Sequence, residues 1–262
     1  MMSVLIIIGI IVFIVLGLIL YIKHYLFMSN LYFYFSACNV ITFGVKGSGK
    51  DLLTEKVIKH RNEPHYSNIP YTHGKEEFII KDFTEVKAPV DYRQLIENNF
   101  KREPHKFIEG ADLYISDMGV YFPNYCDSLL YRLYPSMPVL YALDRQLYSQ
   151  NIHFNSQSLD RGWKALREQA DFFVYCVRTY HLPFILITKV ITYDRYESAQ
   201  KRLLPVKSRL LKKYSKAEVD IYNSQNGDIR QGLVFRLKKN ITYDTRYFEK
   251  KLLKGKRKYF KP

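Results

Sequence analysis

The sequence predicts an α/β fold in which helices flank a mostly parallel β-sheet, preceded by an N-terminal transmembrane helix. Short apolar runs rich in β-branched and aromatic residues alternate with segments of helical spacing along the middle of the chain. The first 22 residues contain no charged side chain, although the whole chain has a formal net charge of +15. The 262 residues are enough for one α/β domain with appendages.

The composition excludes several classes of protein. Hydrophobic residues make up 47% of the chain and aromatic residues 16%, which excludes a disordered or collagen-like chain. The three cysteines, Cys38, Cys126 and Cys176, lie far apart in apolar surroundings, so they give neither a zinc-site spacing nor a disulfide framework. We therefore expect buried thiols and a reducing compartment.

Residues 4–22 form an uncharged apolar run that would make about 28 Å of helix, enough to cross a bilayer. A signal peptide would need basic residues before this run and a small-residue cleavage site after it, and the sequence has neither. Lys23 and His24 follow the run, and the rest of the chain is basic. The positive-inside rule therefore predicts a single-pass membrane protein whose remaining chain is cytoplasmic.

The alternation of apolar runs and helical spacing gives the order of the elements, and strands joined by helices imply right-handed parallel crossovers. Residues 30–35 fit either an aromatic belt at the membrane or a short strand. The predicted strands are 38–43, 66–71, 111–116, 151–155, 171–177 and 184–192, with an edge strand at 233–237, and the predicted helices include 52–58, 92–100, 138–148 and 160–169.

Residues 44–50 read GVKGSGK and lie between a predicted buried strand and a predicted helix. Glycines at these positions permit a tight turn whose backbone N–H groups face phosphates, and the following helix adds its positive end. Lys50 would reach the β- and γ-phosphates of ATP; a glycine turn without a ligand is the alternative. The predicted nucleotide-binding residues are Gly44, Val45, Lys46, Gly47, Ser48, Gly49, Lys50, Asp51 and Leu52.

Asp51 stands where such loops normally place a Ser or Thr that ligates Mg²⁺. A carboxylate can hold Mg²⁺ directly or through water, but it also adds negative charge beside the phosphates. The sequence leaves both readings open.

Asp117 follows the apolar run at 111–116 and is the predicted second Mg²⁺ ligand, at the position of the strand-end acid of such ATPases. Many ATPases place a water-activating Glu next, where this chain has Met118, so either another group polarises the water or hydrolysis is slow or lost. Ser156 and Gln157 follow another predicted strand and are candidates for contacting the γ-phosphate or orienting water. The candidates for an arginine finger are Arg145, Arg132, Arg161 and Arg167.

These motifs together resemble the zonular occludens toxin (Zot) family, the assembly ATPases of filamentous phages. Two differences are plain: the familiar members carry their membrane anchor after the ATPase domain, whereas the anchor expected here precedes it, and no exported toxin-like tail is evident, so we expect no toxin activity. The resemblance is carried by the loop 44–50, the segment 66–70 (YSNIP), the strand through Asp117 with 121–123 (YFP), Asp144 and Arg145 before 151–157, Asp160 and Arg161, and 166–171 (LREQAD).

The resemblance implies a membrane-bound P-loop ATPase of the FtsK/HerA-like class that drives virion assembly and export with ATP and Mg²⁺. The expected partners are further copies of the chain, the host inner membrane and other phage assembly proteins, with single-stranded DNA as a further candidate. The expected division is an anchor over residues 1–28, a P-loop ATPase domain over 29–195 and a basic extension over 196–262.

Two other functions remain open on the sequence. A nucleotide kinase would explain a Gly-x-Gly-Lys-Asp loop, although the anchor and the lack of an arginine-rich lid argue against it. An ATP-binding membrane scaffold that has lost turnover would explain Met118. The basic tail at 250–258 would suit phosphate-rich partners or anionic lipid.

Overall fold

The computed structural model describes residues 2–71, 77–79, 111–122, 124–126, 128, 151–206 and 215–241. The helices in this part are α1 (Met2–Ala37), α2 (Lys50–Arg61), α3 (Met118–Tyr121), α4 (Lys164–Arg167), α5 (Tyr196–Gln200) and α6 (Lys216–Asn226). The strands are β1 (Val40–Phe43), β2 (His65–Ser67), β3 (Glu77–Ile79), β4 (Asp112–Ile115), β5 (Ile152–Ser156), β6 (Phe172–His181), β7 (Ile185–Tyr193) and β8 (Ile229–Leu237).

The described strands form one sheet in the order β3-β2-β4-β5-β1-β6-β7-β8. The first six are parallel to one another, which confirms the predicted mostly parallel α/β sheet. β7 is antiparallel to both β6 and β8, because the three residues between β6 and β7 are too few for a crossover. The predicted edge strand at 233–237 is therefore confirmed, and it begins four residues earlier, at Ile229.

β1 lies inside the sheet, and all four of its residues are buried because packed elements cover both faces. Ile41 and Phe43 face a cluster around the fully buried Trp163. Val40 faces the opposite cluster, formed with α2 and the second half of α1. Cys176 lies in that second cluster, and burial raises the pKa of its thiol to about 12, as expected for a structural cysteine.

α1 is one continuous helix, so the interpretation of residues 30–35 as a short strand is wrong. Phe27, Leu31 and Phe35 recur on one helical face and bury that face against the sheet, which extends the helix through the aromatic stretch. The first half is different, because the large apolar side chains between Ile10 and Ile22 are 43–78% exposed. The segment Gly9–Ala37 is long and apolar enough to cross a membrane by length and composition, a test that a signal sequence also passes.

The predicted helix at 160–169 is wrong as a single element. A 3₁₀ turn (Leu159–Arg161) is followed by an extended Gly162 and only then by α4. The break lets Trp163 enter the core and seats Gly162 against the Met118 side chain, where a Cβ atom would collide with the sulfur. The helices predicted at 92–100 and 138–148 lie outside the described residues.

Candidate functional site

The loop between β1 and α2 is pressed against β6 and β7. Gly44 and Gly49 both have positive φ, 151° and 94°. A Cβ atom at Gly44 would collide with the carbonyl oxygen of Cys176, and one at Gly49 with the hydroxyl of Thr179. Glycine is therefore required at both positions by space as well as by backbone conformation.

Lys50 begins α2 and is only 7% exposed. Its ammonium donates hydrogen bonds to the carbonyl oxygens of Gly44 at 2.8 Å and Val45 at 3.2 Å, so the charge lies within the curve of the loop. Thr179 fixes the other side of the loop, because its hydroxyl donates to the Ser48 carbonyl at 2.8 Å. Within the described chain, the buried Ser48 hydroxyl has no hydrogen-bond partner.

Asp51 connects α2 with the ends of two strands. Its Oδ1 accepts one hydrogen bond from the Ser116 hydroxyl and one from the Asn155 side-chain amide, both at 2.9 Å. Asn155 also donates to the Thr54 hydroxyl at 3.1 Å. The carboxylate is thus held in place by two neutral donors.

Asp117 follows the end of β4 by one intervening residue, Ser116, and lies in the left-handed region with a φ of 60°. Burial, followed by the negative charge of Asp51, raises the pKa of its carboxyl, and Lys50 and Lys46 offset part of this rise. Asn68 fixes the preceding residue, because its side-chain amide donates to the Ser116 carbonyl at 2.9 Å and accepts from the Ser116 N–H at 2.8 Å. A carboxylate whose ionisation is disfavoured by burial and by a neighbouring carboxylate is suited to binding a cation.

The donors at this place fit Mg²⁺. Mg²⁺ takes oxygen ligands and is commonly held by one or two carboxylates, with phosphate oxygens and water completing the shell. Asp51 and Asp117 supply two carboxylates next to the loop. No group of three or more His, Cys, Asp or Glu that could hold a metal occurs among the residues that the structure describes.

Asn68, Ser116 and Asn155 were missed by the sequence reasoning. Asn155 lies inside the predicted strand 151–155, and the sequence-based candidates for contacting the γ-phosphate are the two residues after it. In the structure Ser156 turns away and its hydroxyl donates to the Ser158 carbonyl at 2.7 Å. The strand alternation contains the missing signal, because neighbouring side chains of a strand point to opposite faces.

The remaining candidates are placed elsewhere or lie outside the described part. Met118 is fully buried in the apolar cluster around Trp163, so it offers nothing to a water molecule. Gln157 accepts a hydrogen bond from Arg161 at 2.8 Å. Arg167 is buried and donates to the Tyr196 hydroxyl at 2.7 Å, so it holds α5 and is not free to reach a neighbour. Arg132 and Arg145 lie outside the described residues.

No protein-family model and no curated protein matches the chain. Solved structures do. The genome packaging NTPase B204 from Sulfolobus turreted icosahedral virus 2, in complex with AMP, is 12% identical, with a TM-score of 0.43 over 63% of this chain and 95% of that one.

The N-terminal domain of zonular occludens toxin from Neisseria meningitidis, a member of the family that the motifs resemble, is 11% identical. Its TM-score is 0.41 over 80% of this chain and 97% of that chain. EssC (ATPases 2 and 3) from Geobacillus thermodenitrificans is 9% identical, with a TM-score of 0.38 over 85% of this chain and 44% of that one. At these values, what the chain does rests on the site itself.

Proposed function

We propose that this chain is a membrane-anchored P-loop ATPase that binds Mg²⁺–ATP at the loop 44–51 and couples it to virion assembly, export or DNA handling. The observation that carries the proposal is the convergence of the buried Lys50 ammonium, two carboxylates and a glycine loop at the carboxyl edge of a parallel sheet. Ligands of open α/β sheets bind at this edge.

In this proposal each residue has a definite task. Lys50 exchanges its two backbone carbonyl partners for phosphate oxygens, and the N–H groups of the loop and of the first turn of α2 bind the same phosphates. Asp51 and Asp117 would hold a Mg²⁺ ion, which would neutralise the charge that develops during phosphoryl transfer. Ser116 and Asn155 keep Asp51 in position.

The burial of Met118 favours a second candidate, an ATP-binding scaffold whose turnover is slow or lost. The buried side chain cannot activate water, and Gln157 is bonded to Arg161. A scaffold would bind Mg²⁺–ATP tightly with negligible phosphate release, whereas an ATPase would show turnover that rises as copies of the chain assemble.

The exposed apolar half of α1 supports the anchor, and the motif resemblance to the Zot family supports the role in phage assembly. Homo-oligomers, the host inner membrane, other assembly proteins and single-stranded DNA are the partners that this role would require. If residues 1–22 are the anchor, their deletion releases the protein from membranes and leaves nucleotide binding intact, because docking of α1 onto the sheet begins at His24. Fractionation at high salt measures the release.

Lys50→Ala tests the nucleotide site. We expect loss of fluorescent-ATP binding and of any Mg²⁺-dependent phosphate release in the full chain, while Lys59→Ala, an exposed position on the same helix, leaves both unchanged. Wild-type affinity in Lys50→Ala would contradict the proposed site. Phosphoryl transfer to a nucleoside monophosphate in a coupled assay would support a kinase instead.

A further inference from the structure

The β6–β7 hairpin projects beyond the nucleotide loop and ends in exposed apolar residues. Gly49 lies beside Thr179 and Thr188, and the two strands continue past this level to a tip at residues 182–184. Phe184 is 81% exposed and Leu182 is 47% exposed.

Below the tip, apolar side chains on one face of the sheet continue this surface across β6, β7 and β8. Tyr180 is paired with Ile187 and Ile187 with Phe235, so their side chains share one face. Next to the tip, Ile185 is paired with Leu237, which is 42% exposed. We call Tyr180, Leu182, Phe184 and Leu237 the tip patch.

The surroundings of the tip patch are basic. Residues 172–193 and 229–241 contain no Asp or Glu, whereas Lys238 and Lys239 directly follow Leu237 and are exposed. The Arg178 guanidinium lies over the Tyr180 ring, 5.5 Å from its centre. Apolar and aromatic side chains with a basic rim are typical of a surface that enters the headgroup region of an anionic bilayer.

The direction of α1 brings its apolar half to the same edge of the sheet. Tyr34 stacks on Phe172, at the start of β6, whereas His24 donates a hydrogen bond from its Nδ1 to the Leu233 carbonyl at 2.9 Å, and its ring centre lies 4.9 Å from that of Phe235. β6 and β8 run in the same direction, since both are antiparallel to β7. Followed backwards from Tyr34, α1 therefore climbs from the amino edge towards the carboxyl edge.

The rise of β8 and the rise of α1 along the sheet agree with a membrane contact shared by α1 and the tip patch. From Phe235 to Leu237 the strand rises about 7 Å, a height that a helix alongside gains in about five residues. A helix that continued alongside β8 beyond His24 would reach the level of Leu237 near Ile19, inside the uncharged run. If that run lies in hydrocarbon, this geometry brings the tip patch to the level of the same bilayer.

We propose that the tip patch inserts into the interface of the anionic bilayer that α1 crosses, with Lys238 and Lys239 on the lipid phosphates. The inference rests on the proposed anchor. Together, α1 and the tip patch would attach the sheet to the membrane at two points, so that the nucleotide loop faces the membrane. A movement of β6 and β7 would then displace the residues that contact Gly49.

Phe184→Trp in the full chain tests this in nanodiscs of phosphatidylcholine and phosphatidylglycerol with brominated acyl chains. The natural Trp163 is fully buried, so it supplies a constant background. We expect brominated lipid to quench at least roughly half of the added fluorescence, as for a side chain about 5–10 Å into the interface. The matched control, Ile221→Trp on the exposed side of α6, stays unquenched.

Alkaline extraction of the wild-type chain from vesicles separates the two possible failures. Extraction would mean that the anchor itself fails. Resistance to extraction together with an unquenched tryptophan at position 184 would overturn the tip proposal alone. Weaker quenching in Phe184→Trp when Lys238 and Lys239 are both changed to Glu is the further expected result, because the basic rim then repels the lipid phosphates.

Discussion

The two ends of β4 carry one aspartate each, and their surroundings are opposite. Asp112 begins the strand at the amino edge and is 1% exposed. It forms an ion pair with Arg61, and its Oδ1 accepts from the Asn151 side-chain amide at 3.3 Å. Burial alone would raise the pKa of Asp112, but its interactions with His153, Arg61 and Asn151 hold it below the usual value.

Asp117, at the carboxyl end of the same strand, has a raised pKa. Burial penalises its charge, and the nearest acidic partner, Asp51, penalises it further. The charge of Asp112 is therefore balanced within the protein, whereas the charge of Asp117 is disfavoured by its surroundings. The difference favours a structural role for Asp112 and supports the proposed cation site at Asp117.

Asp112→Asn should have the largest effect on stability, because it leaves the Arg61 guanidinium without its charge partner in a buried place. We expect the free energy of unfolding to fall by about 3–5 kcal/mol. Arg61 also donates to the Phe35 carbonyl at 2.6 Å, so the junction of α1 with the sheet weakens as well. Urea unfolding followed by Trp163 fluorescence measures the change.

Asp220→Asn, at an exposed position of α6, is the control and should unfold like the wild type. If Asp112→Asn lost as much binding free energy for ATP as it lost free energy of unfolding, the proposed division of roles between the two ends of β4 would be wrong.

Asp117→Asn should show the reverse behaviour. We expect Mg²⁺-dependent turnover, or Mg²⁺-dependent affinity if turnover is absent, to fall roughly 100-fold, which is about 2.7 kcal/mol. Stability without nucleotide should stay equal or rise, since the substitution removes repulsion with Asp51. Phosphate release and urea unfolding of the same preparation test both halves, and a destabilised but fully active variant would reverse our assignment.

The sequence was sufficient for the centre of this fold. β1, the loop and α2 were predicted because a buried β-branched run, a glycine motif and helical spacing follow one another without a gap. Asp117 was found because an apolar run ends directly before it. The continuity of α1 was not predicted, since residues 30–35 are apolar on several sides and only docking against the sheet shows which face is buried.

The polar frame of the candidate site was predictable only in part. Single-strand patterns do not reveal that the Ser116 and Asn155 side chains, from the ends of two different strands, converge on the Asp51 carboxylate. Nor do they reveal that Asn68, after a third strand, fixes the Ser116 backbone. The Arg61–Asp112 pair was likewise hidden, because the two residues are far apart in the chain and meet only when β2, β4 and α2 are assembled. Long-range polar contacts of this kind have no local sequence signal.

Asp51→Ala sharpens the comparison at the carboxyl end. If Asp51 is a Mg²⁺ ligand, we expect the affinity for Mg²⁺–ATP to fall about 10-fold, while the affinity in EDTA rises. Repulsion between unit charges ~5 Å apart is about 3 kcal/mol at an effective dielectric constant of ~20, so the gain without metal is measurable. Binding titrations with Mg²⁺ and with EDTA give both numbers.

Asp51→Ser is the matched control, because it restores the hydroxyl that such loops normally carry. It should keep most of the Mg²⁺-dependent affinity that Asp51→Ala loses. An equal gain in affinity for both variants, with and without metal, would mean that Asp51 only repels the phosphates.

The smallest expected effect is a difference in sign between the two aspartates as the pH falls. Asp117 has a folded-state pKa above its ordinary 3.8, so its contribution to stability is present at low pH and is lost as the pH rises through the folded value. Asp112 has a folded-state pKa below 3.8, so its contribution to stability is present above pH 3.8 and is lost only on further acidification.

Acidification from neutral pH towards 3.8 should therefore stabilise the nucleotide-free wild type relative to Asp117→Asn. Saturating Mg²⁺–ATP should remove this gain, because the cation keeps Asp117 ionised and protons must then compete with it. Urea midpoints of the two proteins between pH 4 and 7, with and without Mg²⁺–ATP, measure the effect, and a constant difference across that range would show that Asp117 is not held in a proton-favouring site.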